Sequence, residues 1–186
     1  MKFANRKHVG TAACTMSLMA FALCGCTHTG WEKKLQAELP VLGHRNWIVI
    51  ADSAYPKQSA TGIETVYTDA DQLEVLDTVL KALDAATHVQ GIVFLDAELD
   101  HVTEQDAPGV EAYRRQLKAR LNGKQVETMP HEEIIGKLDA DSKLFNILLL
   151  KTDMAIPYTS VFLKLDCGYW NAGKETRLRE AIGKQK

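Results

Sequence analysis

His44 and Asp52 bracket a short apolar run, Trp47-Ile-Val-Ile-Ala51, so a histidine and a carboxylate occupy the two ends of one strand-like segment. His131 follows Pro130 where a strand pattern gives way to a helix pattern. Tyr158 follows Pro157 at the opening of the last apolar run, Tyr-Thr-Ser-Val-Phe-Leu-Lys-Leu, which places Ser160 at the same strand start. A histidine titrates near neutrality and can take or give a proton. Ends of strands in an α/β sheet are where such side chains meet ligands. The chemistry these residue types can do is proton transfer between positioned groups.

Other chemistries lack their residues. The glycines are scattered and form no phosphate-cradling loop, and no Gly-x-Ser-x-Gly occurs. The six histidines are His8, His28, His44, His88, His101 and His131, and none stands in a metal-ligand pattern with Cys or another His. Asp96, Glu98, Asp100 and Glu104 form an acidic stretch after a strand and read as a solvated loop.

The elements that must hold the candidate residues alternate along the chain. Trp47–Ala51, Ile63–Thr68, Val89–Asp96, Gln125–Met129, Leu144–Lys151 and Ser160–Leu165 have the apolar, β-branched character of strands. Between them, 71–85 places Leu73, Leu76, Val79, Leu80 and Leu83 at helix spacing, with Asp71 at its start. A second helix is expected over 108–121, stopped by Asn122-Gly123, and a third begins at Pro130-His131-Glu132-Glu133. Strands alternating with helices imply an α/β three-layer sandwich with a largely parallel sheet.

The amino-terminal segment reads differently. Lys2, Arg6 and Lys7 precede an uncharged, mostly apolar stretch from Val9 to Leu23, and Leu23-Cys24-Gly25-Cys26 follows. This order resembles a bacterial lipoprotein signal over 1–26, with Cys26 lipidated and a partly helical spacer over 27–40 leading to the domain. Thr27 rather than aspartate after the cysteine points to the outer membrane, with the domain facing the periplasm. Three of the 22 Lys/Arg and none of the 24 acids lie in the first 26 residues, which leaves the remainder at net −5. That charge argues against nucleic acid as a partner, and membrane attachment is expected through lipid alone. Cys167 is then the one free thiol left, a small packing residue.

Taken together, Leu42-Gly-His…Asp52…Pro56, the His131-Glu132 helix start and Pro157-Tyr158 resemble the ribose pyranase/fucose mutarotase (RbsD/FucU) family over residues 41–167, with 168–186 as an extension. The resemblance implies a monosaccharide substrate, ring-shaped homo-oligomers with sites at subunit interfaces, and interconversion of sugar anomers or ring forms. His44, Asp52, His131 and Tyr158 then match the family's acid–base positions. His44 is expected to be oriented by Asp52, with His131 or Tyr158 as its counterpart. Opening a hemiacetal requires removal of the anomeric hydroxyl proton and protonation of the ring oxygen, with no redox step, metal or cofactor. The chain departs from the family at Ser160, where asparagine is usual, and at Ile135, where some members carry lysine. Ser160 is expected to hydrogen-bond a sugar hydroxyl, and Trp47, Tyr55 and Trp170 are candidates for stacking on a sugar. A sugar-binding lipoprotein without catalysis and an assembly scaffold remain the other readings.

Overall fold

The computed structural model describes residues 30–184. Cys26 and the segment 1–26 lie outside the described residues. Strands β1 (Trp47–Ala51), β2 (Ile63–Tyr67), β3 (Val89–Asp96), β4 (Val126–Met129), β5 (Ile147–Lys151) and β6 (Val161–Cys167) form one six-stranded sheet in the order β2-β5-β1-β6-β3-β4. β1 pairs in parallel with β5, β5 with β2, and β3 with β4. β6 runs antiparallel to both β1 and β3. Five strands therefore point the same way, and the amino end of β6 lies among their carboxyl ends. The largely parallel sheet expected from the sequence is present, with its single reversal near the centre.

Helices α1 (Gly30–Glu38), α2 (Gln72–Ala85), α3 (Val110–Arg120) and α4 (His131–Asp141) cover the two faces, and α5 (Ala172–Gly183) follows the sheet. Residues on β1 alternate. Ile48 and Ile50 pack with Leu148, Leu150, Val161 and Leu163 under α1, α2 and α3. Trp47, Val49 and Ala51 pack with Leu149, Phe162 and Phe94 under α4, through Ile134 and Leu138. Both faces of the strand are thus covered, which is why its sequence is a continuous apolar run rather than an alternating one. At the far end of α4, Trp47 Nε1 and Lys164 Nζ both donate to Asp141 Oδ2, at 2.8 and 3.1 Å. Those bonds, with the buried Ile134 and Leu138, hold α4 against the sheet, and His131 is its first residue.

The segment expected to be a spacer belongs to the domain from Gly30 onward. Trp31, Leu35 and Leu39 are buried on the helical face of the core, as the spacing of four residues allows. Each such side chain contributes roughly 1.5–3 kcal/mol through removal of apolar surface from water. The partly helical character read from the sequence is present, but the burial was hidden because the other positions of the helix are polar and its length is short. In contrast, α5 in the extension buries none of its residues. Among the described residues no helix is long and apolar enough to cross a membrane.

Candidate active site

Asp52 leaves β1 at the carboxyl end of the sheet. Its Oδ1 accepts the Ala54 backbone N–H at 2.9 Å, the local turn that a short carboxylate favours. Ser160, at the amino end of β6, donates its hydroxyl to Asp52 Oδ2 at 2.8 Å and accepts the Asp52 backbone N–H at 3.1 Å. The pairing register puts Val161 opposite both Ile50 and Leu95, so Ser160 lies between the ends of β1 and β3. Ser160 is 1% exposed. Its hydroxyl is therefore committed to Asp52 and orients that carboxylate, in place of the sugar contact expected from sequence.

Asp96 ends β3, and its side chain has no exposure to solvent. His131 Nδ1 lies 3.1 Å from Asp96 Oδ2. The contact is close but off the line of a full hydrogen bond, so among the described residues Nδ1 and both Asp96 oxygens are without a hydrogen-bond partner. Burial raises the Asp96 carboxyl from 3.8 to about 6. His131 opposes that rise, and the charges of Glu98 and Asp52 add to it. The His131 backbone N–H donates to both Glu98 oxygens, at 3.1 and 3.0 Å. Glu98 thus satisfies an otherwise unpaired N–H in the first turn of α4 and places negative charge at its positive end. The histidine is held from two sides, by main chain and by ring.

Tyr158 meets the same ring edge-on, with centroids 5.7 Å apart and planes at 79°. Its backbone φ of 59° lies in the left-handed region, a conformation costing a side-chain-bearing residue roughly 1–2 kcal/mol. A buried polar network holds the segment in place. The Thr159 carbonyl accepts from Tyr113 Oη at 2.7 Å and from Gln72 Nε2, while Thr159 Oγ1 donates to the Ile156 carbonyl at 2.7 Å. Gln72 Oε1 in turn accepts from Thr152 Oγ1 at 3.3 Å. Strain at Tyr158 is stabilised by bonds one residue away, as at many ligand-contacting turns.

His44 is not part of this group. It lies at the amino end of β1, and a strand of five residues spans roughly 17 Å at about 3.3 Å per residue, so it cannot orient or be oriented by Asp52 within one chain. Its Nδ1 is instead 3.7 Å from Asp166 Oδ1, both side chains well exposed. It lines an open groove of about 460 Å³ with Gly43, His88, Cys167, Tyr169 and Trp170. Of the stacking candidates, Trp47 and Tyr55 are buried, and Trp170 is exposed at this distant end.

The residues that sequence reasoning passed over are Asp96, Glu98 and Gln72. Asp96 closes an otherwise apolar strand at the edge where Asp52 and Ser160 also emerge. The acidic run behind it disguised this signal, since charges at that density usually mark solvent. Gln72 offered no signal beyond its place in the first turn of a helix.

These side chains gather two carboxylates, an imidazole and a phenol at one sheet edge. The profile of the RbsD / FucU transport protein family matches residues 29–166. The chain belongs to this family. A D-ribose pyranase of Geobacillus kaustophilus is 27% identical over 136 residues, covering 72% of this chain and 88% of its own. Among solved structures, Bacillus subtilis RbsD complexed with D-ribose aligns with a TM-score of 0.51 at 20% identity, covering 72% of this chain and 91% of its own. FucU from Bifidobacterium longum aligns at 0.50 and 15% identity, covering 72% and 94%. The RbsD / FucU match begins at residue 29, which agrees with α1 being integral, and ends before the extension that carries α5.

Proposed function

We propose that this chain is a monosaccharide mutarotase or pyranase that opens and recloses the ring of a free ribose- or fucose-like sugar. The observation carrying this reading is the cluster of His131, Asp52 and Tyr158 at the carboxyl edge of an RbsD / FucU sheet. The activity named for the Geobacillus relative supports it. With Nδ1 turned to Asp96, His131 presents Nε2 to a ligand. Nε2 takes the anomeric hydroxyl proton, the C1–ring oxygen bond breaks as the carbonyl forms, and a second group protonates the ring oxygen. Closure on either carbonyl face, or through another hydroxyl, reverses the transfers. Each positioned acid or base supplies about 10²–10⁴-fold, which suffices for a reaction that proceeds unaided in water.

His44 joins this reading through self-association. In a homo-oligomer of the ring type implied by the family, a neighbouring copy would bring its exposed His44, flanked by Tyr169 and Trp170, to the carboxyl edge and complete the proton-transfer pair. Cys26 would carry lipid and hold the domain at the outer membrane on its periplasmic side, where it would process sugar before uptake.

The test is NMR exchange spectroscopy with a panel of monosaccharides, with His131→Ala as control. Exchange accelerated for one sugar and lost in the variant establishes the activity and names the substrate. No acceleration with any sugar overturns it. A second reading, a sugar-binding protein without catalysis, is favoured by Ser160, whose hydroxyl is committed to Asp52 and leaves one polar group fewer for the sugar. Line broadening without exchange would select it.

A further inference from the structure

Asp96 has no structural task that its chemistry explains. An apolar residue would end β3 equally well, since Phe94 and Leu95 before it pack into the two core layers. A carboxylate with no solvent exposure is destabilising unless something nearby answers its charge. Among the described residues its one cationic-capable neighbour is His131, and neither oxygen has another protein partner.

We infer that Asp96 is a positioning residue for His131, holding the ring proton on Nδ1 so that Nε2 meets the substrate as the base. The inference rests on the mutarotase reading for its catalytic consequence, but not for the tautomer itself. A neutral imidazole carries one N–H and one lone pair, and the group facing one nitrogen decides which is which. Asp96 Oδ2 can only accept from Nδ1–H when ionised, so Nε2 keeps its lone pair. Once Nε2 has taken the anomeric proton, the same carboxylate stabilises the imidazolium, and the proton is available for return on closure. The small misalignment in the resting contact is removed by a modest ring rotation about a side chain that is 29% exposed. Catalytic hydrogen bonds often tighten only with ligand in place.

The other groups facing this ring come from separate elements. Glu98, in the 3₁₀ turn over Ala97–His101, contacts the His131 backbone rather than the ring. Tyr158 covers an edge from the loop before β6. Asp52 adds negative charge from the end of β1, and the buried Tyr55 follows it, its phenol held neutral by desolvation and by the charges of Asp139, Asp96 and Asp52. Of these, Asp96 alone touches a ring nitrogen.

Two measurements on the full protein decide the matter. In ¹⁵N-labelled protein, His131 should show the Nδ1–H tautomer at pH 8, and Asp96→Asn should lose that preference. The Nε2–H tautomer in the native protein overturns the inference with no variant required. In sugar exchange, Asp96→Asn should lower kcat roughly 10- to 100-fold, part of what a positioned base supplies, with KM changed much less. An unchanged kcat would refute it. If native protein exchanges no sugar, the functional reading fails, and the tautomer measurement still judges Asp96.

Discussion

The two ends of the sheet carry the same pair of residue types in opposite surroundings. At the amino end, His44 and Asp166 lie 3.7 Å apart with half of each side chain in water. At the carboxyl end, His131 and Asp96 lie 3.1 Å apart, the carboxylate wholly withdrawn from solvent. Water screens the first pair, and such pairs are worth about 0–1 kcal/mol. Burial of the second removes the screening, so the protonation of one partner strongly governs the other. A histidine and an aspartate do not make a site by being near each other. The sheet makes one of them into a site by burying the carboxylate and leaving the imidazole at the rim.

Removing the imidazole at each end should separate them most sharply. His131→Ala is expected to reduce sugar exchange by about 10²–10⁴-fold, read by NMR. His44→Ala should reduce it only through a neighbouring copy. Mixing the two inactive proteins under conditions that exchange subunits should then restore part of the activity. No recovery, with His44→Ala fully active alone, would leave His44 outside the chemistry.

Next comes the cost of burying Asp96. Its folded-state carboxyl holds a proton up to about pH 6, while the unfolded one releases it near 3.8. The native state therefore binds more protons between those values, and stability falls as pH rises through that window, by on the order of 3 kcal/mol. Asp96→Asn should flatten this slope and raise the melting temperature above pH 6 while impairing exchange. A variant less stable than the native protein at pH 7.5 would show that the charge is better compensated than its contacts indicate.

A smaller effect is expected at Tyr158. Replacing it with glycine frees the left-handed backbone and should stabilise the fold by up to about 1 kcal/mol, measured by urea unfolding, with the site's activity lost. Smallest of all, Asp166→Asn should change stability by well under 1 kcal/mol, and still less in high salt.

Much of the fold was legible because β1, β3, β5 and β6 are largely apolar runs whose length and composition need no partner to be recognised. β1 and β3 begin and end where the sequence placed them, and α2 starts one residue after its capping Asp71. α1 was less legible, since nine residues with two buried positions leave little periodicity to read. The gathering of Asp52 and Tyr158 with His131 at one sheet edge followed from each standing where an element starts or ends. The misreadings share one cause. His44 was joined to Asp52 by closeness in sequence, although an extended strand separates them in space, and Asp96 was assigned to solvent by the charges that follow it.

By itself, then, the sequence determined the alternation of strands and helices, the family and the chemical types at the strand ends, since these are written in local pattern and spacing. Only the tertiary structure decided which of those types meet. The antiparallel insertion of β6 brings Ser160 against Asp52, and the packing of α4 through Ile134 and Leu138 sets His131 over Asp96. Burial, which no single segment carries in its own residues, then gives that carboxylate its altered protonation.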